Sequence, residues 1–271
     1  VPSRDSMWGK KASFMKGNTS RKPRATAEPG DHPELCAVLS EIPVGGITPF
    51  TTIDFPGRLA GVFYLQGCSW RCRYCYNSEL WPFPPGGNRI PPDKILSYLK
   101  SRQGRLDGVV FSGGEPTAHV GLTKWIKAVK SMDYQVAIHT SGMYPDRLGE
   151  ILPLCDWVGI DIKAPFDQYA SVTMCEGSGA VAKASLQRIL SSHVPYECRT
   201  TVHPDLLKDE GLLQLASELY DLGVKDFHVQ RFRREGCPDS ELRESSHLGA
   251  FISVDLQDQL KTIFPKLQVR G

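Results

Sequence analysis

Three cysteines fall within eight residues, at Cys68, Cys72 and Cys75, in the spacing C-x3-C-x2-C. Three thiolates on so short a loop can each take one iron of a cubane cluster. Ordinary ferredoxin sites supply four cysteines. A three-cysteine loop with no nearby fourth leaves one iron open to an outside ligand. Structural zinc wants four ligands, usually in two separated pairs, and no second pair accompanies this one. A secreted disulfide scaffold would be shorter and more evenly stapled. The other five cysteines, at 36, 155, 175, 198 and 237, are scattered and read as free core or surface thiols.

A second stretch with chemical potential is Phe111-Ser112-Gly113-Gly114-Glu115-Pro116. Adjacent glycines let the backbone approach a ligand closely, and exposed main-chain groups can bind an amine or carboxylate. Alone, such a pair is more often a plain tight turn. Further polar groups are His139-Thr140-Ser141-Gly142, the Asp161–Lys163 pair, Arg199, His203, His228 and Arg231. Asp161 and Lys163, two apart on an extended segment, project to the same side. Arg199 offers a planar fork suited to a carboxylate.

These groups need a scaffold that brings them together. Short apolar runs rich in β-branched and aromatic residues alternate with amphipathic stretches from about residue 45. The runs predict strands at Ala60–Leu65, Gly108–Ser112, Tyr134–His139, Trp157–Asp161, Glu197–Val202 and Phe227–Arg231. Helices are expected to begin near Pro92, Val120, Pro145, Gly179 and Glu210, with a last helix near Asp255–Phe264 and a short strand Leu267–Arg270. Such alternation argues for an α/β protein with a parallel sheet. Six units are too few for a complete eight-fold barrel, which leaves an open partial barrel or a doubly wound sheet. Every motif falls at or near the end of an expected strand, where barrel enzymes build their sites.

The cysteine loop, with Tyr74 just before its third cysteine, resembles the signature of the radical S-adenosylmethionine (SAM) superfamily. The resemblance implies a partial (β/α)6 TIM-like barrel, a 4Fe-4S cluster on Cys68, Cys72 and Cys75, and SAM on the open iron. One electron then splits SAM and leaves a 5′-deoxyadenosyl radical. Gly113, Gly114 and Glu115 are similar to the segment that holds the methionyl amine of SAM, and Tyr74, Ser141 and Arg199 are implied as further SAM contacts. The segment Asp54-Phe55-Pro56-Gly57 resembles the Asp-x-Pro-Gly stretch of glycyl-radical-enzyme activating proteins. The relatives implied are the activating proteins of anaerobic ribonucleoside-triphosphate reductase, with pyruvate formate-lyase activase as a cousin. By that resemblance Asp54 contacts the glycine loop of a protein substrate, Asp161 and Lys163 lie near SAM and substrate, and Arg199 meets the SAM carboxylate. A flavodoxin or ferredoxin is the implied electron donor. Activases often carry Asp-Thr-Asn-Gly where this chain has His139-Thr140-Ser141-Gly142, so a cation held through that aspartate is not implied. No second cysteine-rich insertion of ferredoxin type is present. The competing readings are a radical SAM enzyme acting on a small molecule, such as a deazapurine-forming synthase, and a non-catalytic iron–sulfur electron carrier.

Composition sets the remaining expectations. The formal net charge is +2 over 271 residues, so neither nucleic acid nor a membrane surface is an expected partner. No run of 18 apolar residues occurs and the first residues lack the apolar stretch of a signal peptide. A cytoplasmic location is therefore expected. Residues 1–25 hold seven Lys/Arg and one acid. We expect a disordered basic tail over 1–40, read as an upstream extension with Met7 or Met15 as candidate starts, and a radical SAM domain over 41–271.

Overall fold

The structure, a computed structural model, describes residues 33–83, 90–249 and 251–271. Eight strands form one sheet in strictly sequential order. They are β1 Val44–Thr51, β2 Ala60–Leu65, β3 Gly108–Gly113, β4 Gln135–Thr140, β5 Trp157–Asp161, β6 Tyr196–Val202, β7 Phe227–Arg231 and β8 Gln268–Arg270. Only β1–β2 is antiparallel, and every pair from β2–β3 to β7–β8 is parallel. The helices are α1 Pro33–Ser40, α2 Pro92–Arg102, α3 Leu122–Lys130, α4 Pro145–Ile151, α5 Ala170–Thr173, α6 Ser178–Ser192, α7 Asp209–Asp221, α8 Ser240–Glu244 and α9 Val254–Ile263. A doubly wound sheet reverses its strand order at a switch point. The uninterrupted order here rules that alternative out and leaves six β/α units in a partial TIM-like barrel, with β1 and β8 at its two edges.

Strand alternation explains the two faces. Phe63, Leu65, Val109, Phe111, Val136, Ile138, Val158 and Ile160 face the helices in one large core. Ala60, Val62, Val110, Ala137 and Trp157 point the other way and form a small second cluster inside the barrel with Phe55. Phe55 comes from the β1–β2 loop, and its ring lies 6.3 Å from that of Trp157. Gly108 makes room for it, since a Cβ there would sit 2.9 Å from the Phe55 ring.

Two elements depart from expectation. β1 was not foreseen, because Gly45, Gly46 and Pro49 interrupt its alternation and its order comes from pairing with β2. Helix α1 occupies the end of the stretch expected to be tail. Leu39 is buried and the Trp125 indole donates to the Val38 carbonyl at 2.7 Å, so residues 33–40 pack as part of the barrel. The remainder of the expected tail, 1–32, lies outside the described residues. Among the described residues no helix is long and apolar enough to cross a membrane.

Candidate active site

The cysteine loop leaves the carboxyl end of β2, and its backbone is fixed from several sides. Cys68 N–H donates to Trp81 O at 3.2 Å, while Arg71 and Arg73 N–H donate at 3.0 Å to Thr173 and Val172 at the end of α5. All three cysteines are free thiols, Cys68 and Cys72 buried and Cys75 half-buried. Burial pushes the Cys68 thiol up to about 12 and Cys72 up to about 11, and raises Cys75 as well. A metal reverses that logic by replacing the proton. Among the described residues no three His, Cys, Asp or Glu side chains converge on one ion position. A cubane does not ask for such convergence, because each thiolate binds its own iron. An all-thiolate donor set suits iron–sulfur chemistry, and the three residues fit that group.

The Gly-Gly stretch presses directly against this loop. Gly114 N–H donates to Leu65 O at 2.8 Å and Glu115 N–H to Gly67 O at 2.9 Å. Gly113 has φ +112°, and a Cβ there would meet Leu65 N at 2.3 Å. A Cβ on Gly114 would meet Gly67 O at 2.3 Å. Both obstacles are backbone, so neither can swing aside. Gly114→Ala is therefore expected to push the cysteine loop away from β3. Iron bound per chain after reconstitution should fall well below the wild-type value, and unchanged iron content would show that the close approach is dispensable.

Glu115 lies fully buried beyond the glycines. Its Oε1 accepts from Thr117 N at 3.0 Å, Thr117 Oγ1 at 2.5 Å and Thr140 Oγ1 at 2.7 Å. Its Oε2 accepts from Ser141 N at 2.9 Å and Ser141 Oγ at 2.6 Å. A carboxylate offers about four lone-pair sites, and five donors surround this one. Glu115 and Ser141 thus join the exits of β3 and β4.

Asp161 and Lys163 at the end of β5 gather with Arg199, which lies beside Asp161 in the middle of β6. Arg199 Nε donates to Asp161 Oδ1 at 2.8 Å, and Lys163 Nζ lies 4.0 Å from Asp161 Oδ2. Burial pushes the Asp161 carboxyl up, but Arg199 and then Lys163 outweigh it and hold the pKa below the usual carboxylate range. Burial likewise pulls Lys163 down, and the nearby Cys72 and Asp161 more than restore its charge. Lys163 Nζ lies 5.7 Å from the centroid of the Tyr74 ring, which ties this group to the cysteine loop. Gly159 gives the guanidinium its place, since a Cβ there would stand 3.0 Å from Arg199 Nη1.

Asp54 stands in the β1–β2 loop. Thr51 Oγ1 donates to its carboxylate at 2.5 Å, and His139 Nε2 lies 2.8 Å from its carbonyl oxygen. Its charge reaches His139 and Arg199. The other polar residues singled out from the sequence serve local structure. His203 Nε2 bonds Leu242 O at 2.9 Å and its Nδ1 accepts from Asp205 N. His228 Nε2 pairs with Asp226 at 2.6 Å, and Arg231 donates to Leu248 O at 3.1 Å.

Sequence reasoning missed the strap that follows β7. Arg233 N–H donates to the Tyr76 hydroxyl at 2.8 Å, and its guanidinium lies 4.8 Å from the Tyr76 ring centroid. Arg73 pairs with Asp239 at 2.6 Å, and the Cys237 thiol donates to Arg73 O at 3.4 Å. Gly236 packs on Tyr76 so closely that a Cβ would meet its carbonyl at 2.2 Å. The only sequence signals were an isolated Gly-Cys and a basic run, 157 to 166 residues from their partners.

A three-thiol loop, two of its cysteines buried, locked to a Gly-Gly strand exit on a partial barrel defines a class. The chain matches the family model described as Radical SAM superfamily over residues 62–224. It belongs to the radical SAM superfamily, whose members use a 4Fe-4S cluster and SAM. A Methanocaldococcus jannaschii protein, provisionally named a glycyl-radical enzyme activating enzyme, is 28% identical over 208 residues, covering 74% of this chain and 84% of that protein. The pyruvate formate-lyase-activating enzyme of Clostridium pasteurianum is 35% identical over 127 residues, 45% of this chain and 52% of that enzyme. The chain thus matches about half the length of that relative. Among solved structures, Streptococcus suis SuiB bound to precursor peptide SuiA superposes with a TM-score of 0.55 at 12% identity, covering 78% of this chain and 48% of that one. Native anSMEcpe with bound AdoMet gives 0.50 at 14% identity, over 62% of this chain and 49% of that one. At these identities the two structures establish the shared fold.

Proposed function

We propose that this chain is an activase that generates a glycyl radical on a partner enzyme, and that the partner is anaerobic ribonucleoside-triphosphate reductase. The observation that carries the reading is the Asp54 loop, anchored inside the barrel by Phe55 and by the contact of its carbonyl with His139. A glycine Cα has no side chain to grip, so recognition must use the flanking backbone. The Asp54 carboxylate is a suitable acceptor for its N–H groups. The names of the relatives support the activase class without choosing among its partners.

When bound, the cluster and SAM supply the one-electron chemistry that removes a hydrogen atom. The chain's own residues hold and orient. Cys68, Cys72 and Cys75 would each hold an iron of that cluster. Arg199 keeps Nε on Asp161 and leaves the rest of its fork for the SAM carboxylate. Lys163 and Tyr74 border the same space, and Gly113 and Gly114 bring main-chain groups beside the cluster loop. Glu115 and Ser141 shape the wall by joining two strand exits. A flavodoxin or ferredoxin delivers the electron.

Arg199→Ala removes the carboxylate partner and leaves Asp161 without its closest cation. Losing a hydrogen bond to a charged group costs about 1.5–3 kcal/mol, so SAM affinity should fall at least tenfold in equilibrium binding. Wild-type affinity would show that another group meets the carboxylate. The reading itself is tested by mixing the reduced protein, SAM and the anaerobic reductase from the same source. A glycyl radical doublet in electron paramagnetic resonance is expected. Deoxyadenosine formation with no doublet on any glycyl radical enzyme of that source would favour a small-molecule substrate.

A further inference from the structure

We propose that His139 is a positioning residue for radical transfer, a latch that holds the Asp54 loop in the barrel so that the partner's glycine segment meets a preformed acceptor. The inference rests on the activase reading above and names a residue through which that site works.

Three observations converge on it. Ala137 belongs to the cluster inside the barrel, and alternation places His139 on the same face of β4. Its ring lies 5.6 Å from Trp157, edge to face, and Trp157 is also the ring against which Phe55 packs. Its Nε2 lies 2.8 Å from the Asp54 carbonyl oxygen. A carbonyl only accepts, so Nε2 carries the hydrogen and donates it. Among the described residues this is the one hydrogen bond from residues 52–56 to any strand other than β1.

The rest of the loop shows what the latch completes. Thr51 Oγ1 donates to the Asp54 carboxylate and receives the Ile53 and Asp54 N–H groups at 3.3 and 3.4 Å. That knot ties the carboxylate to β1, the edge strand, and makes no bond to the inner strands. Phe55 anchors the next residue through apolar packing, which is weakly directional. The His139 bond holds the Asp54 carbonyl, between the carboxylate and the Phe55 anchor, to β4. The neighbouring Ile53 is 82% exposed, so the loop offers its tip outward while its base is held. A positioning group that removes loop freedom before binding lowers the cost of the productive complex.

The test compares His139→Phe, which keeps a ring beside Trp157 and loses the donor, with His139→Gln, whose side-chain N–H reaches a similar point. His139→Leu serves if the phenylalanine variant does not fold. Each variant is first checked for iron content. The readouts are KM for the partner enzyme, kcat for radical formation, SAM cleavage without partner, and hydrogen exchange of residues 52–56. His139→Phe is expected to raise KM for the partner about tenfold and to speed exchange of those amides, with partner-free SAM cleavage within about twofold of wild type. His139→Gln should recover most of both effects. Unchanged KM and exchange in His139→Phe overturn the proposal, as does a glutamine variant no better than phenylalanine. Lost SAM affinity with unmoved KM also overturns it, because His139 would then serve the SAM site. If wild type forms no radical at all while the exchange difference persists, the activase reading fails and the positioning role fails with it. A wild-type radical with no exchange difference refutes the latch alone.

Discussion

Cys68→Ala, Cys72→Ala and Cys75→Ala are each expected to reduce iron from about four per chain after anaerobic reconstitution to near zero. Each sulfur serves its own iron, so no pair can do the work of three. The loop cannot rearrange to recruit a substitute, because its backbone is committed to Trp81 on one side and to the end of α5 on the other. Cys237 is the spare thiol to consider, since it sits against Arg73, two residues before Cys75. Its S–H, however, is directed to Arg73 O and Asp239 O at 3.4 and 3.6 Å, within the strap that holds the loop. Cys237 is therefore not expected to rescue Cys75→Ala. Cys155 is buried beside Leu152 at the foot of the barrel, and Cys155→Ala should keep full iron. Iron and acid-labile sulfide assays read both outcomes, and full occupancy in the triple alanine variant would end the assignment.

Glu115→Ala is expected to cost stability on a scale that few single changes reach. The Thr117 and Ser141 N–H groups point at its carboxylate and, being backbone, cannot turn elsewhere. A buried donor left without an acceptor costs roughly 1–3 kcal/mol, so two cost about 4 kcal/mol, against a typical total of about 5–15 kcal/mol. The hydroxyls of Thr117, Thr140 and Ser141 can rotate and lose less. The loss continues along the chain of bonds, because Gly142 N–H depends on Thr140 Oγ1 at 2.9 Å. The melting temperature should drop by roughly 10 °C. Glu115→Gln keeps one acceptor and should fall between alanine and wild type. A melt for Glu115→Ala within about 2 °C of wild type would show that the strand exits do not rely on this carboxylate.

The periodic core was the most legible part of this molecule. Strands β2, β5 and β7 begin and end where expected, and in β2 and β5 the reason is a nearly continuous apolar run buried on both faces. The cysteine loop and the Gly-Gly stretch were legible because their spacing is local. What failed to show in the sequence depends on distant partners. Strand β1 carries two glycines and a proline and is ordered by β2. Helix α1 follows a basic, polar stretch and is anchored by Trp125, 87 residues away. Glu115 was readable as a polar residue beside a glycine turn, but not as the receiver of five bonds, because Thr140 and Ser141 lie on the next strand exit. His139 looked like one more polar residue at a strand end, and its partner Asp54 is 85 residues upstream.

That this chain takes a hydrogen atom from a glycine of a protein partner is tested most directly with deuterium. The anaerobic reductase is prepared with α-deuterated glycine and mixed with the reduced protein and SAM. The account predicts deuterium in the 5′-deoxyadenosine released and a glycyl signal in electron paramagnetic resonance whose doublet collapses towards a single line. Unlabelled 5′-deoxyadenosine, formed at an undiminished rate and with no radical on the partner, would contradict it.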